Sequence, residues 1–189
     1  MIGSKPFILA SSSPRRKVLL NQIGLDFSIV NSQVIENLNI KFPPEAMAEH
    51  WAREKAIKIS EKYPDILVVG ADTIINFEDN ILGKPKDKVE SYKMLKRLSG
   101  KKHEVITGVS FIHLAKGLDI TFNEITCVSL RILTDEEIYF YIDNYHTLDK
   151  AGSYGIQDFF SVHVVKIEGC YFNVMGLPLS SFYTNLKSI

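Results

Sequence analysis

A short polar cluster at residues 11–16 combines residue types that proteins use to bind phosphate. Three serines, Pro14, Arg15 and Arg16 follow the apolar residues 7–10 and precede an apolar pattern typical of a helix. Hydroxyl donors, helix N-terminal amides and guanidinium groups together favour an anion. The same residues also suit an ordinary capped helix start with solvated charges. The P-loop motif GxxxxGK[ST] is absent, so the cluster alone leaves both interpretations open.

Asp72 is the strongest candidate for a reacting group. It follows the nearly all-apolar run 66–71, which predicts a buried central strand with Asp72 and Thr73 at its end. A carboxylate there is costly unless it is paired, binds metal or faces a cleft. In phosphate chemistry Asp72 would position Mg²⁺ or activate a water, whereas a hydrogen bond to a neighbouring turn is the plain alternative. Glu36 is a second acidic candidate on a segment where glutamates are ordinarily solvated.

Two lysines and one loop complete the candidates. Lys55 lies in a predicted helix, and Lys84 lies between Gly83 and Pro85, a restricted context that could aim its ammonium group. A single lysine is nevertheless most often a solvated charge. The segment DKAGSYGIQ at residues 149–157 predicts either a loop that reads a base or a tight turn.

Other catalytic chemistries find little support in the sequence. There is no GxSxG or HExxH motif, and the five histidines do not occur at the spacing of ligand pairs. The two cysteines, Cys127 and Cys170, form no CxxC motif. A hard ion bound by oxygen ligands is therefore the expected metal.

The elements that must position these residues alternate irregularly along the chain. Short strands are predicted at 6–10 and 27–30, and a long hairpin at 104–114 and 118–133. Thr134 and Glu137 form a capping-box pattern at the start of a helix. Further helices are predicted from Pro14 to about residue 23, at 43–63 and 87–99, and after residue 178. This order predicts a mixed α/β fold, a curved mixed sheet flanked by helices.

Composition narrows the possible partners. The 189 residues suit one domain covering residues 1–189. Lys plus Arg and Asp plus Glu both number 22, and the net charge of zero argues against a stable nucleic-acid partner. No run approaches the roughly 20 apolar residues that span a bilayer, and the apolar run at residues 7–10 is too short for a signal-peptide core. We therefore expect a cytoplasmic protein without a membrane partner.

Seven segments together resemble the Maf family, the nucleoside triphosphate pyrophosphatases also called septum-formation proteins. They occur in the family's order and extend from about residue 6 to 182. The segments are LASSSPRRKVLL (9–20), AREKA (52–56), VVGADTII (68–75), LGKPKD (82–87), LSGKKHEVITGV (98–109), DKAGSYGIQ (149–157) and NVMGLPL (173–179).

The resemblance implies a two-lobed fold with a central cleft, similar to the inosine triphosphate pyrophosphatases. It implies a house-cleaning enzyme in which water attacks the α-phosphorus of a nucleotide, with Mg²⁺ or Mn²⁺ as cofactor, and a homodimer. Asp72 matches the family's proton acceptor, and Glu36 an acidic position near the metal, which Asp72 would share. The positions that match those holding the triphosphate are Ser13, Arg16, Lys55 and Lys84.

Three positions resemble the branch of the family that acts on dTTP and UTP. They are Arg15, Thr73 and Gln157, where the branch acting on 7-methyl-GTP carries an aromatic residue, Gln and Glu. The Gln157 amide is expected to pair with the O4 and N3–H edge of a pyrimidine. Asp158 departs from the family, which usually has Gly there, and a charged loop could change base preference or lower activity. The alternatives are a 7-methyl-GTP pyrophosphatase and a nucleotide-binding regulator of cell division without turnover.

Overall fold

The computed structural model describes residues 6–37 and 40–189, and in them it contains seven strands and six α-helices. The strands are β1 (Phe7–Leu9), β2 (Phe27–Ile29), β3 (Val68–Phe77), β4 (Asn80–Leu82), β5 (Lys102–His113), β6 (Leu118–Leu130) and β7 (Val164–Glu168). The helices are α1 (Pro14–Gln22), α2 (Pro44–Ser60), α3 (Lys88–Leu98), α4 (Asp135–Asn144), α5 (Tyr171–Met175) and α6 (Leu179–Lys187).

The strands form a mixed sheet in the order β2-β1-β3-β5-β6-β7, with β4 paired to β3. β1 pairs in parallel with both β2 and β3, whereas the β3–β4 and β6–β7 pairs are antiparallel. The predicted mixed α/β class is therefore confirmed. None of the helices in the described part of the chain is long and apolar enough to cross a membrane.

The chain divides into two compact units. The first unit comprises the described residues up to Asp72, then Thr107–Glu124 and Gly176–Ile189, and the second comprises Thr73–Ile106 and Ile125–Met175. Each unit has its own buried apolar cluster, around Ile8, Ile59 and Val68 in the first and around Leu95, Tyr141 and Phe160 in the second. The division agrees with the two lobes that the resemblance implies. The single domain and the cleft stay predictions.

In the first unit, small residues let α2 lie directly against β3. A Cβ added at Gly70 would lie 2.0 Å from the carbonyl oxygen of Ala52 and 2.9 Å from the amide nitrogen of Ala56. Both alanines are fully buried on the helix face that carries Lys55. Because the two backbones approach so closely, the Lys55 side chain can reach Asp72, which lies two residues after Gly70 in β3.

One expectation about Asp72 was wrong. The sequence predicted that its strand ends before Asp72, whereas β3 continues through Asp72 to Phe77. The apolar pattern resumes at Ile74 and Ile75, and residues 75–77 pair with β4 in a tight hairpin. Asp72 therefore lies in extended backbone within β3 and is almost fully buried, at 4% exposure.

Candidate active site

The residues between β1 and α1 form a loop hydrogen-bonded around Ser11. The Ser11 hydroxyl oxygen accepts from the backbone amide of Ser13, at 3.2 Å, and from the Arg16 guanidinium, at 3.1 Å. Ser13 occupies the N-cap position of α1 but makes no capping hydrogen bond through its side chain. The alternative of a capped helix start with solvated charges is therefore wrong for Ser13 and Arg16.

Arg16 connects this loop to a segment 160 residues away in sequence. Its Nε donates to the carbonyl oxygen of Gly176 at 2.8 Å, and the residue is buried. Burial lowers the pKa of the Arg16 guanidinium from its ordinary value, while the negative charges of Asp72 and Glu36 act in the opposite direction. The guanidinium therefore lies in the field of two carboxylates, and Arg15 beside it is half-buried.

A lysine between two carboxylates forms the centre of the candidate site. The Lys55 ammonium lies 2.6 Å from Oδ1 of Asp72 and 2.6 Å from Oε1 of Glu36. The side chains of Lys55 and Asp72 are only 10% and 6% exposed, whereas that of Glu36 is 27% exposed. The second carboxylate oxygen of Asp72, Oδ2, is buried and has no hydrogen-bond partner among the described residues. Lys55 thus fixes one oxygen of Asp72 and leaves the other available for chemistry.

These carboxylates fit a metal ion only if the substrate shares in its coordination. Within residues 6–37 and 40–189, no group of three or more His, Cys, Asp or Glu side chains could hold a metal ion. Asp72 and Glu36 nevertheless supply two carboxylates, whose oxygens are the hard donors that Mg²⁺ prefers. Mg²⁺ is commonly held by one or two carboxylates together with water and substrate phosphates. The donor set therefore suits Mg²⁺ bound together with a nucleotide.

The remaining candidates belong to the second unit. Thr73 directly follows Asp72 and is half-buried, while Lys84 and Gln157 are exposed. The segments that carry Lys84 and Gln157 meet, because the amide of Gly152 donates to the carbonyl oxygen of Gly83 at 3.0 Å. Gly152 has a φ of 65°, which glycine adopts without strain.

The Asp158 carboxylate stabilises the second unit through hydrogen bonds. Its carboxylate accepts from the amide of Phe160 at 3.1 Å and so caps the short 3-10 helix Phe159–His163. The Tyr141 hydroxyl lies 3.1 Å from both carboxylate oxygens of Asp158 and accepts from the amide of Gly155 at 3.0 Å. Burial, and then the charge of Asp158, raise the pKa of Tyr141, so its phenol keeps the proton that it donates.

A buried histidine supports the same loop from the strand β5. Nε2 of His103 lies 2.7 Å from the Tyr154 hydroxyl, and both residues are buried. Burial lowers the pKa of His103 to about 4 and raises the pKa of Tyr154. The pair is therefore neutral near pH 7 and acts as a structural hydrogen bond rather than as a charged site.

Sequence reasoning missed several supporting residues. Ser11 belongs to the serine run, but no pattern distinguished it from its neighbours as the acceptor at the centre of the loop. Gly176 lies in the segment NVMGLPL, which carried the resemblance without a role for any residue. Tyr141 gave no signal at all, because its hydroxyl meets Asp158 only after α4 packs against the loop.

Comparisons with known proteins agree with the resemblance. Residues 6–189 match the family described as Maf-like protein. A dTTP/UTP pyrophosphatase of Acetivibrio thermocellus is 45% identical over 187 residues, which cover 95% of this chain and 93% of that protein. A dTTP/UTP pyrophosphatase of Bacillus cereus is 48% identical over 183 residues, covering 97% and 89% of the two chains.

A solved structure supports the fold. The HAM1 protein from Coxiella burnetii superposes with a TM-score of 0.54 at 11% identity, covering 98% of this chain and 100% of that chain. At this identity the likeness concerns the fold alone. The family match over residues 6–189 and the identities of 45% and 48% carry the assignment, and the chain belongs to the Maf-like family.

Proposed function

We propose that the protein is a nucleoside triphosphate pyrophosphatase that hydrolyses dTTP and UTP to the monophosphate and pyrophosphate. The observation that carries the proposal is the arrangement of the buried Asp72 and Lys55 with the half-buried Glu36. It lies in a chain 45% and 48% identical to two proteins named dTTP/UTP pyrophosphatase. The arrangement offers an oriented carboxylate beside cationic groups, as hydrolysis of a phosphoric anhydride requires.

Asp72 is the proton acceptor in this proposal. The water oxygen forms a bond to the α-phosphorus while the bond from that phosphorus to the bridging oxygen breaks, and pyrophosphate leaves. Oδ2 of Asp72 takes the proton of the water, because Oδ1 is held by the Lys55 ammonium at 2.6 Å. A positioned general base of this kind contributes roughly 10²–10⁴-fold to a rate.

Cationic and hydroxyl groups hold the triphosphate. We assign this role to Ser13, Arg16, Lys55 and Lys84, and Arg16 would act from within the hydrogen-bonded loop around Ser11. Asp72 and Glu36 would hold Mg²⁺, with Mn²⁺ as a substitute. When bound, the ion supplies positive charge that offsets the charge of the phosphate oxygens. The protein groups then orient the nucleotide and keep Asp72 aligned.

Base selection is assigned to Arg15, Thr73 and Gln157. Gln157 is exposed, so its amide can pair with a base edge. The O4 and N3–H groups of uracil and thymine offer one acceptor and one donor, which match the donor and acceptor of an amide. A homodimer remains part of the proposal.

Pyrophosphate release across a panel of nucleotides tests the proposal. The purified chain, with Mg²⁺, is incubated with dTTP, UTP, CTP, ATP and 7-methyl-GTP, and kcat/KM is compared. We expect the highest values for dTTP and UTP. No release from any nucleotide would favour the non-catalytic regulator, and a preference for 7-methyl-GTP would favour the other branch.

Hydrolysis in ¹⁸O-labelled water locates the bond that is cleaved. Attack at the α-phosphorus places the label in the monophosphate. Label in the pyrophosphate would contradict the proposed mechanism even if the substrate preference were as expected.

A further inference from the structure

The loop that carries Gln157 is closed around Gly155. The backbone amide of Asp158 donates to the carbonyl oxygen of Gly155 at 3.3 Å, so the residues 155–158 form a turn with Gln157 inside it. A Cβ added at Gly155 would lie 2.8 Å from Nε2 of Gln157, from Oδ2 of Asp158 and from Cε of Lys150. Three side chains therefore converge on the space that the glycine leaves open.

A chain of hydrogen bonds ends at the Asp158 carboxylate. The Gly155 amide donates to the Tyr141 hydroxyl at 3.0 Å, and this hydroxyl donates to Asp158 at 3.1 Å. Asp158 also accepts from the amide of Phe160, and the Lys150 ammonium lies 4.0 Å from its Oδ2. The carboxylate thus ties both ends of the turn to α4 and to the following 3-10 helix.

We propose that Asp158 is a positioning residue, whose carboxylate fixes the turn 155–158 through Tyr141 and thereby sets how well Gln157 discriminates between pyrimidine bases. The inference rests on the proposed function, because it assigns base selection to Gln157. Asp158 does not touch the substrate in this account. Its effect is transmitted through the turn, so loss of the carboxylate leaves Gln157 present but poorly placed.

The test compares UTP with CTP, which differ at the base edge that an amide would read. We expect Gln157→Ala to lower the UTP/CTP ratio of kcat/KM at least tenfold, and Asp158→Ala to lower it nearly as much, through a raised KM for UTP. Asp158→Asn keeps an oxygen that accepts from Phe160 and Tyr141 and should stay within about threefold of the wild-type ratio. The double variant Gln157→Ala/Asp158→Ala should match Gln157→Ala alone, because both changes act on one group.

Thr134→Ala is the matched control. It also removes a helix-capping oxygen in the second unit, which accepts from the amide of Glu137. It therefore reproduces a loss of stability at the start of α4, about two helical turns before Tyr141, while the side chains of Tyr141 and Asp158 are kept. Its UTP/CTP ratio should equal that of the wild type. The proposal would be overturned if Asp158→Ala kept the wild-type UTP/CTP ratio. It would also be overturned if the double variant lowered the ratio by the product of the two single effects, because the two residues would then act independently.

Amide hydrogen exchange tests the turn independently of catalysis. Asp158→Ala and Tyr141→Phe should each raise the exchange rate of the Gly155 amide at least tenfold, while Thr134→Ala leaves it unchanged. Unchanged exchange in Asp158→Ala would overturn the positioning role. If the wild type releases no pyrophosphate from any nucleotide, the proposed function fails, and the role of Asp158 in base selection fails with it. The exchange rates then decide only whether Asp158 fixes the turn 155–158.

Discussion

Replacing Lys55 with methionine tests the electrostatic centre of the site. Met keeps the length and apolar stem of the side chain but removes the ammonium that lies 2.6 Å from Asp72 and 2.6 Å from Glu36. Asp72 is then left buried, with neither carboxylate oxygen held by the lysine. Loss of one partner from a buried ion pair costs about 3–5 kcal/mol. Glu36 is 27% exposed, so solvent screening limits the contribution of the Lys55–Glu36 ion pair to about 1 kcal/mol or less.

The assay is urea denaturation at pH 7 without metal or nucleotide, followed by the fluorescence of Trp51, the single tryptophan, which lies on α2. We expect Lys55→Met to lower the free energy of unfolding by about 3–5 kcal/mol. The double variant Lys55→Met/Asp72→Asn should regain at least about 2 kcal/mol of the lost free energy of unfolding, because a neutral amide needs no counter-charge.

Lys58→Met is the control for this experiment. Lys58 lies on the same helix but is exposed, and its ammonium contacts only the carbonyl oxygen of Gln33 among the hydrogen bonds of the described chain. Its replacement should change the free energy of unfolding by less than about 0.5 kcal/mol. A loss below about 1 kcal/mol for Lys55→Met, or a double variant no more stable than the single one, would refute the reasoning.

Two further predictions concern the framework. Gly70→Ala should destabilise the fold by about 2–3 kcal/mol in urea denaturation, since the new Cβ would lie 2.0 Å from the Ala52 carbonyl oxygen. The control is Gly117→Ala, where no atom of the described residues lies within 4 Å of the added Cβ, so it should cost only the left-handed strain of about 1–2 kcal/mol. Equal losses in the two variants would contradict the close packing of α2 on β3. Burial lowers the pKa of His103 to about 4 from 6.5, so the unfolded chain binds the proton first as the pH falls. Stability should decrease between pH 6.5 and 4 by about 3 kcal/mol, and a His103→Gln variant with the same pH slope would refute this.

Local signals in the sequence predicted some elements well. The capping box of α4 was read from Thr134 and Glu137, and the structure has both of its hydrogen bonds. Such a pattern is complete within four residues, so it can be recognised without knowledge of any distant contact. The hairpin of β5 and β6 was also predicted, because only a short connection separates two long β-rich runs.

Contacts between distant segments could not be predicted in the same way. The end of β3 was misplaced because its continuation depends on pairing with β4. The different roles of Arg15 and Arg16 were predicted from the resemblance alone. Only the structure shows that Arg16 donates to Gly176, 160 residues away. The Lys55 ammonium meets Glu36 and Asp72 because α2 lies against β3, which depends on glycine and alanine positions that carry no chemical signal of their own.

Turnover of an Asp72→Asn variant tests the central claim most directly. Single-turnover release of pyrophosphate from UTP is measured beside the Kd for UTP, in wild type and variant. The account predicts that the rate falls by roughly 10²–10⁴-fold, because the amide cannot accept the proton of the water. UTP should still bind, with a Kd raised by no more than about tenfold, because Glu36 and the cationic groups remain to hold the ion and the phosphates. A rate within tenfold of the wild type would contradict it and remove Asp72 as the proton acceptor.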